Sequence, residues 1–461
     1  MKKIIIKSSL LALMTFSVIA CSEDSLEPEL STERDLTNSP VSSTTDLEYL
    51  ANGMYKRMRA AAYYGRDYII FNEARTDNAY SIGSSNRFVT LSEMRVNIGD
   101  AYPSDTWLSS YRVILNSNYI INAEGVVGDQ DLIDDYKGQA LVARALVHFD
   151  LMKLYGQQHI SGQGGVNAIT VPYVTVAPAN SGVVQSMDVD RLKLSEIRTK
   201  IYADLDEGIS KIQNTSVKTT ITKQAALGFK SRIALYFATF FPADYQVAYD
   251  AAVDAMAEGG SVAPESNFFV QFQGNVIDAN SVFELAMPPD DHVGNEGLFE
   301  IYNGNAYGDV VAQDNVETLF SNDDIRGEGI EVDSEGDLRN VKKYTAYADN
   351  VIVMRFEELL LNAAEAAIHV APSEVVGFIN QIRTNRGLTA LTSATIDDVL
   401  LERRKELIFE GFRFDDLMRL QLDVPTNPRM TDTFNYGHYR TAFPIPLSEI
   451  NASGMQQNSG Y

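Results

Sequence analysis

Carboxylates are the side chains of this 461-residue chain best suited to acid–base chemistry, since 62 Asp and Glu residues stand against 38 Lys and Arg. A glycosidase needs two carboxyl groups about 5 to 10 Å apart. The adjacent pairs Asp134–Asp135 and Asp415–Asp416 do not meet this need, because neighbours in a helix point about 100° apart. Both pairs are typical of solvated helix surfaces, and with so many acidic residues chance pairs are expected.

Other catalytic signatures are also absent from the sequence. There is no G-x-S-x-G elbow and no Walker A lysine, and Gly162-Gln163-Gly164-Gly165 lacks the third glycine of a dinucleotide-binding loop. No two of the five histidines have H-x-x-x-H spacing, so a zinc hydrolase would need ligands from distant parts of the chain. The sequence therefore predicts no catalytic residues and no catalytic metal.

An acidic loop runs from Ser321 to Asp337 and contains a single basic residue, Arg326. Oxygen-rich loops can hold Ca²⁺, although the alternating pattern of an EF-hand is missing here. A structural calcium ion is one expectation for this loop, and a solvated acidic surface is the other. Its acidic residues are Asp323, Asp324, Glu328, Glu331, Asp333, Glu335 and Asp337.

The overall charge excludes one class of partner. The formal net charge is −24 and the pI is about 4.6. Because binding to phosphate backbones needs a basic face that displaces counterions, the sequence predicts no nucleic-acid partner.

Helical periodicity dominates the body of the chain. Apolar residues recur at i, i+3 and i+4 from about Leu47, which is the stripe of an amphipathic helix. The pattern fades in two irregular regions, 67–104 and 261–347, and 162–182 reads as a loop with a short strand at 171–174. We expect a mostly α scaffold with further helices at about 105–122, 131–155, 189–213, 223–240, 245–257, 353–370, 373–386 and 395–420.

The N-terminus resembles a lipoprotein signal. Lys2, Lys3 and Lys7 precede an uncharged stretch that ends at Ala20 and is too short to span a bilayer. The sequence Val18-Ile19-Ala20-Cys21 resembles a bacterial lipobox, and Cys21 is the only cysteine, which excludes an intramolecular disulfide. We predict a signal peptide at 1–20, lipidation at Cys21 and a polar tether over 21–45. The alternative is an ordinary secretory signal with an incidental cysteine.

The segment from Glu402 to Arg419 combines apolar residues with carboxylates and guanidinium groups spaced to pair across helical turns. Physically, it predicts a structural cluster of ion pairs. It also resembles the C-terminal motif of the SusD/RagB family of surface lipoproteins. Other stretches resemble motifs of that family in the right order: Leu50–Tyr55, Trp107–Asn118, Tyr136–Ala140, Arg144–Leu146, Leu154–Gly156, Phe443–Pro446 and Gln456–Tyr461, where Ser459 replaces a common proline.

The resemblance implies a single SusD-like α-helical domain over 46–461, built on tetratricopeptide-like helix pairs with irregular loop excursions and a few short strands. Within it we distinguish an N-terminal helical part at 46–260, the excursion at 261–347 and a C-terminal part at 348–461. It also implies a non-catalytic role: binding oligosaccharide at the cell surface, anchored to the outer membrane, and delivering it to a SusC-like TonB-dependent transporter by closing over it as a lid.

Ligand residues vary within that family, so the candidates come from composition alone. Sugar recognition uses aromatic faces and amide or carboxylate hydrogen bonds. Trp107, the one tryptophan, falls in a scaffold helix and is expected in the core. The candidate ligand residues are therefore Asn72, Arg75, Asp77, Asn78 and Tyr80 in the first irregular region, and Tyr302, Asn303, Asn305 and Tyr307 in the second.

Two alternatives remain at this stage. One is capture of peptide or glycopeptide by the same lid mechanism, which the scarcity of tryptophan slightly favours. The other is a surface glycan hydrolase whose carboxylates meet only in three dimensions.

Overall fold

Helices are the main secondary structure in a computed structural model that describes residues 40–178 and 189–461. The helices are α1 Thr44–Met58, α2 Asp67–Glu73, α3 Val89–Ser92, α4 Ala101–Ile121, α5 Gln130–Tyr155, α6 Leu194–Lys211, α7 Lys223–Phe237, α8 Asp244–Ala257, α9 Leu298–Tyr302, α10 Phe356–Val370, α11 Val375–Thr384, α12 Ile396–Leu407, α13 Arg413–Arg419 and α14 Leu447–Ser453. The prediction of a mostly α scaffold is confirmed.

The long helices pack mainly against their neighbours in chain order. Helix α4 contacts α1 and α5, α5 contacts α6, and α7 contacts α6 and α8. The series continues through α10, which packs on α8, α11 and α12. This succession of helix pairs buries one extended core, to which α1, α5, α7 and α10 all contribute. Residues Val41–Tyr461 form one compact unit.

Short antiparallel strand pairs occupy the regions where helical periodicity fades. The strands are β1 Ala79–Ser81, β2 Ser281–Leu285, β3 Val310–Ala312, β4 Ile330–Val332, β5 Leu338–Asn340 and β6 Val351–Arg355. They pair as β1 with β3, β2 with β6, and β4 with β5. The pairs β1–β3 and β2–β6 join segments far apart in sequence, whereas β4–β5 is a local hairpin.

The N-terminal boundary differs from the prediction. Helix α1 begins at Thr44, inside the predicted tether, because Ser43 and Asp46 form a reciprocal capping box. The predicted signal peptide at 1–20, the lipidation site Cys21 and most of the predicted tether lie outside the described residues. Among the described helices, none is long and apolar enough to cross a membrane.

Three predicted elements need correction. The helix expected from about 353 begins at Phe356, because Val351–Arg355 pairs with β2 as a strand. The helix expected over 395–420 is two helices, interrupted where Phe409 and Gly411 adopt positive φ. The strand expected at 171–174 is irregular chain.

Candidate functional site

The two irregular regions predicted from the sequence meet at the strand pair β1–β3. Tyr80 lies opposite Val311 in this ladder, and Ile82 N donates to Asp309 O at 2.8 Å just beyond it. Strand β3 in turn lies against β5 of the neighbouring hairpin. Backbone pairing therefore brings segments more than 200 residues apart in sequence to one side of the protein.

A groove of about 480 Å³ opens beside this junction. Its walls are α9 with the turn 303–305, the β4–β5 hairpin, and the segment 341–345. This volume lies within the usual range for pockets that bind small molecules. Both amide and carboxylate side chains line it, together with the aromatic rings of Phe299, Tyr302 and Tyr344.

Arg339 fixes the hairpin wall of the groove. Its Nε donates to Asp333 Oδ2 at 2.7 Å, one terminal nitrogen donates to Gly308 O at 2.6 Å, and the other to Asp337 Oδ2 at 3.2 Å. Asp333 Oδ1 also accepts the backbone N–H groups of Glu335 and Asp337. The hydrogen bond from Arg339 lowers the pKa of Asp333, so this carboxylate is ionised and already engaged at neutral pH.

An aromatic platform begins at the groove, which Phe299 lines, and continues to Tyr347 in a smaller neighbouring pocket. The rings of Phe299 and Tyr347 meet edge to face with centroids 5.0 Å apart, and His292 stacks on Tyr347 at 5.7 Å. Tyr347 is 40% exposed, and its hydroxyl donates to the Glu300 carboxylate. Because Glu300 also accepts from Tyr307 N at 3.3 Å, the platform is tied to the turn that follows α9. A half-exposed, fixed aromatic pair suits contact with the apolar face of a ring.

The amides in the turn that follows α9 complete this chemistry. Asn303 Oδ1 accepts from Asn305 N at 2.8 Å, which shapes the turn after α9. The side-chain amide of Asn305 makes no hydrogen bond to the rest of the described chain and is exposed at the groove. Aromatic rings beside free amide and carboxylate groups form a surface that can bind a polyhydroxylated ligand.

Comparison with known proteins places the chain. A family model described as "Starch-binding associating with outer membrane" matches residues 27–235, and one described as "SusD family" matches residues 332–461. The chain belongs to the SusD/RagB family. The SusD-like protein P2 of Formosa agariphila is similar over nearly the whole length, with 22% identity covering 93% of this chain and 96% of that protein.

Solved structures share the SusD fold. A putative sugar binding protein from Bacteroides vulgatus superposes with a TM-score of 0.83 at 23% identity, covering 93% of this chain and all of that one. A SusD superfamily protein from Bacteroides thetaiotaomicron gives 0.80 at 24% identity, covering 90% and 99%. At these identities the likeness establishes the fold.

The predicted residues of the second irregular region lie at or near the groove. Asn303 and Asn305 line it, and Tyr302 forms part of its floor. The ring of Tyr302 is 1% exposed and packs on Tyr344 and Phe409, so its role is to support the groove. Tyr307 is partly exposed nearby and carries Arg87 on its ring at 4.1 Å.

The first irregular region divides into a partly exposed part and a buried part. Tyr80 is partly exposed; burial raises its pKa, and Asp337 near the groove contributes to the rise. Asp77 is held by two hydrogen bonds from Arg413, at 2.7 and 2.9 Å, and by an ion pair with Arg404. Its carboxylate is therefore committed to joining this region to the C-terminal part.

The prediction that three further residues contact the ligand is wrong. These residues, Asn72, Arg75 and Asn78, are at most 1% exposed, and a ligand in solvent cannot reach them. Arg75 lies between the rings of Phe414 and Phe443, at 3.3 and 4.9 Å. Every residue of α2 is buried, so Asn72 belongs to a core helix. The apolar run Tyr68–Phe71 was the available signal that this stretch is core.

Several groove residues were missed from the sequence. Phe299 and Tyr347 form the aromatic platform, and Arg339 organises the acidic hairpin. Phe299 lies in a short apolar run and Tyr347 lies between two alanines, so only their aromatic character marked them as candidates. The prediction that Trp107 belongs to the scaffold is confirmed, since it is buried in α4 and donates to Glu449 at 3.1 Å.

Several carboxylates of the acidic loop are held by protein donors. Asp324 binds Arg326 through two hydrogen bonds, at 2.7 and 2.8 Å, and Asp333 is engaged as described above. Over residues 40–178 and 189–461, no group of three or more His, Cys, Asp or Glu side chains is placed to hold a metal ion. These described residues therefore offer no ligand set for the structural calcium ion expected from the sequence.

A second cavity, of only about 40 Å³, lies among α2, α5, α7 and α13. It is large enough for a few water molecules at most. Its walls include Lys153, whose ammonium is paired with Asp415 at 2.5 Å, and Arg232, paired with Glu358. Its small size and paired charges make it a poorer candidate for the ligand site than the larger groove.

Proposed function

We propose that this protein binds glycans at the groove and delivers them to a transporter in the outer membrane. The observation that carries the proposal is the aromatic pair of Phe299 and Tyr347, of which Phe299 lines the groove together with the amides of Asn303 and Asn305. Aromatic rings stack on the C–H faces of sugars, and amides share hydrogen bonds with hydroxyl groups. The names of related proteins, which include starch binding and sugar binding, support the same class of ligand.

The proposed role is non-catalytic. A glycosidase acid needs a carboxyl group whose pKa is raised. Asp333 in the groove has its pKa shifted in the opposite direction by Arg339. Asp333 is therefore unsuited to be that acid, which supports capture over hydrolysis at this carboxylate.

The proposed partner is a SusC-like TonB-dependent transporter, over which the protein closes as a lid. The family description "associating with outer membrane" supports this location. A lipid at Cys21 would provide the anchor, with the protein facing outward. In this arrangement the groove releases its glycan to the transporter.

The direct test is binding of purified protein to a panel of polysaccharides, starch included, and to a peptide library. We expect glycan binding that weakens at least tenfold when Phe299 and Tyr347 are both replaced by Ala, because about 1 kcal/mol or more is lost for each stacking ring. The control is Tyr49→Ala, which removes an exposed tyrosine of α1.

Three results would contradict the proposal. Binding of peptides but of no polysaccharide would show that the ligand is a peptide. Glycan binding that survives the double substitution would remove the groove as the site. Release of shorter sugars by the purified protein, abolished by a single carboxylate substitution, would make it an enzyme.

A further inference from the structure

The groove has one strongly acidic wall. Glu331, Asp333 and Glu335 all line it from the β4–β5 hairpin, and Asp337 lies directly behind them. Against these four carboxylates, the lining contains a single cation, Arg339. The wall therefore carries a local excess of negative charge, in a protein whose formal net charge is −24.

Arg339 is not free to receive an anionic ligand. Its side chain is 5% exposed, and all three guanidinium nitrogens donate to Asp333, Gly308 or Asp337. A ligand carboxylate or sulfate could reach it only by displacing these partners. Leaving Asp333 without its guanidinium would add an unpaired charge to the wall.

Glu331 and Glu335 make the wall repulsive towards anions. Both are exposed, and neither has a cationic partner in residues 40–178 and 189–461. The nearest lysine in sequence, Lys342, is bound to Glu328 at 2.8 Å and lies over the ring of Phe269. Two unneutralised carboxylates therefore face whatever occupies the groove.

From this charge pattern we infer that the groove selects uncharged or amino-bearing glycans and rejects glycans rich in uronic acid or sulfate. The inference rests on the proposed function and narrows its substrate class. The aromatic platform and the amides bind sugar rings of many kinds, whereas the hairpin carboxylates discriminate by charge. Glu331 and Glu335 are the residues that set this specificity.

The first experiment uses the wild-type protein and a panel containing neutral, amino-bearing, uronic and sulfated polysaccharides at low ionic strength. We expect every glycan that binds to be uncharged or amino-bearing. Binding of alginate, polygalacturonate or a sulfated glycan that is lost in the Phe299→Ala, Tyr347→Ala variant overturns the inference and leaves the proposed function intact. If no glycan of any kind binds, both fail.

The second experiment uses a matched pair made from a glycan that binds, the parent polymer and its lightly carboxymethylated form. We expect the charged form to bind the wild type roughly threefold to tenfold more weakly at low salt, with a smaller ratio at high salt because repulsion is screened. The ratio should shrink in Glu331→Gln, Glu335→Gln and persist in Glu48→Gln, Glu124→Gln, which removes two exposed charges elsewhere.

Two outcomes of the matched pair overturn the inference. Equal binding of the two polymers to the wild type shows that the groove does not discriminate between glycans by their charge. A ratio that is the same in both double variants and independent of salt shows that the carboxymethyl group is excluded by its size.

Discussion

Three ion pairs of the scaffold converge on a single residue, Glu406. Its buried carboxylate pairs with Arg355 at 2.6 Å, Arg386 at 2.8 Å and Arg326 at 2.9 Å. Burial alone would raise the pKa of Glu406, but the three guanidinium groups outweigh burial and hold it well below its usual range. The prediction that 402–419 forms a structural cluster of ion pairs is confirmed, and the cluster joins the acidic loop, β6, α11 and α12.

Replacing Glu406 by Gln should destabilise the protein by about 3 to 5 kcal/mol, because it leaves buried guanidinium charges without their shared partner. The free energy of unfolding, measured in urea, checks this. Glu124→Gln, an exposed control, should change it by no more than about 0.5 kcal/mol. A loss below about 1 kcal/mol for Glu406→Gln would show that the network is dispensable.

The buried carboxyl group of Glu73 should make the protein less stable as the pH rises. Burial raises its pKa to about 7, and hydrogen bonds from Asn78 and from the backbone of Gly411 and Phe412 only partly offset this. The folded state therefore holds a proton that the unfolded state releases above about pH 4.5. Its contribution is fully present below that pH and is lost as pH rises through about 7, amounting to as much as ~3 kcal/mol.

Urea unfolding of the wild type and Glu73→Gln between pH 5 and pH 8 tests this. The variant has no titrating group at this position, so the difference in unfolding free energy between the two proteins should move in its favour as pH rises. A difference that does not vary with pH would contradict the raised pKa.

At the scale of elements, two glycines set the spacing of α5 and α6. A Cβ added at Gly138 would lie 2.9 Å from Gly208 O, and one added at Gly208 would lie 2.9 Å from Gly138 O. Ile212 also blocks Gly138, with its Cγ1 at 2.8 Å. The absence of side chains at this crossing therefore allows the two helices to approach closely.

Gly138→Ala should cost about 1 to 3 kcal/mol, because the helices must move apart. The matched control is Gly377→Ala in α11, where nothing lies within 4 Å of the added methyl group. That variant should gain up to about 1 kcal/mol from helix propensity alone. The same change in unfolding free energy for both variants would mean that the crossing is not tightly packed.

Helical elements could be predicted because their apolar stripes are local, whereas elements fixed by distant contacts could not. The apolar pattern of 395–420 continues through Gly411, where the helix is broken. A Cβ at this position would lie 2.9 Å from Ile69 Cα, and the local sequence does not indicate that contact. Likewise, the strand β6 pairs with β2 about 70 residues earlier in the chain. Its apolar residues fit a helix or a strand equally well until that pairing is known.

In the molecule as a whole, the candidate groove is formed within one stretch of the chain, residues 299–345 of the second irregular region. Of the two regions indicated by the sequence, only the second lines the groove, through Asn303 and Asn305 among others. The sequence could not distinguish these two residues from Asn72, Arg75 and Asn78, because a buried polar residue and a polar residue at a binding surface look the same in the sequence. Burial by α13 and the C-terminal segment, more than 300 residues away, decides the difference.

Hydrogen–deuterium exchange with and without a saturating glycan from the binding panel shows whether a glycan occupies the groove. We expect slower exchange on glycan binding in 298–305 and 330–347, which form the groove and its surroundings, with little change in α4 and α5. Protection confined to the helical scaffold, such as the surface around Trp107, or no protection in the groove at saturation, would contradict it.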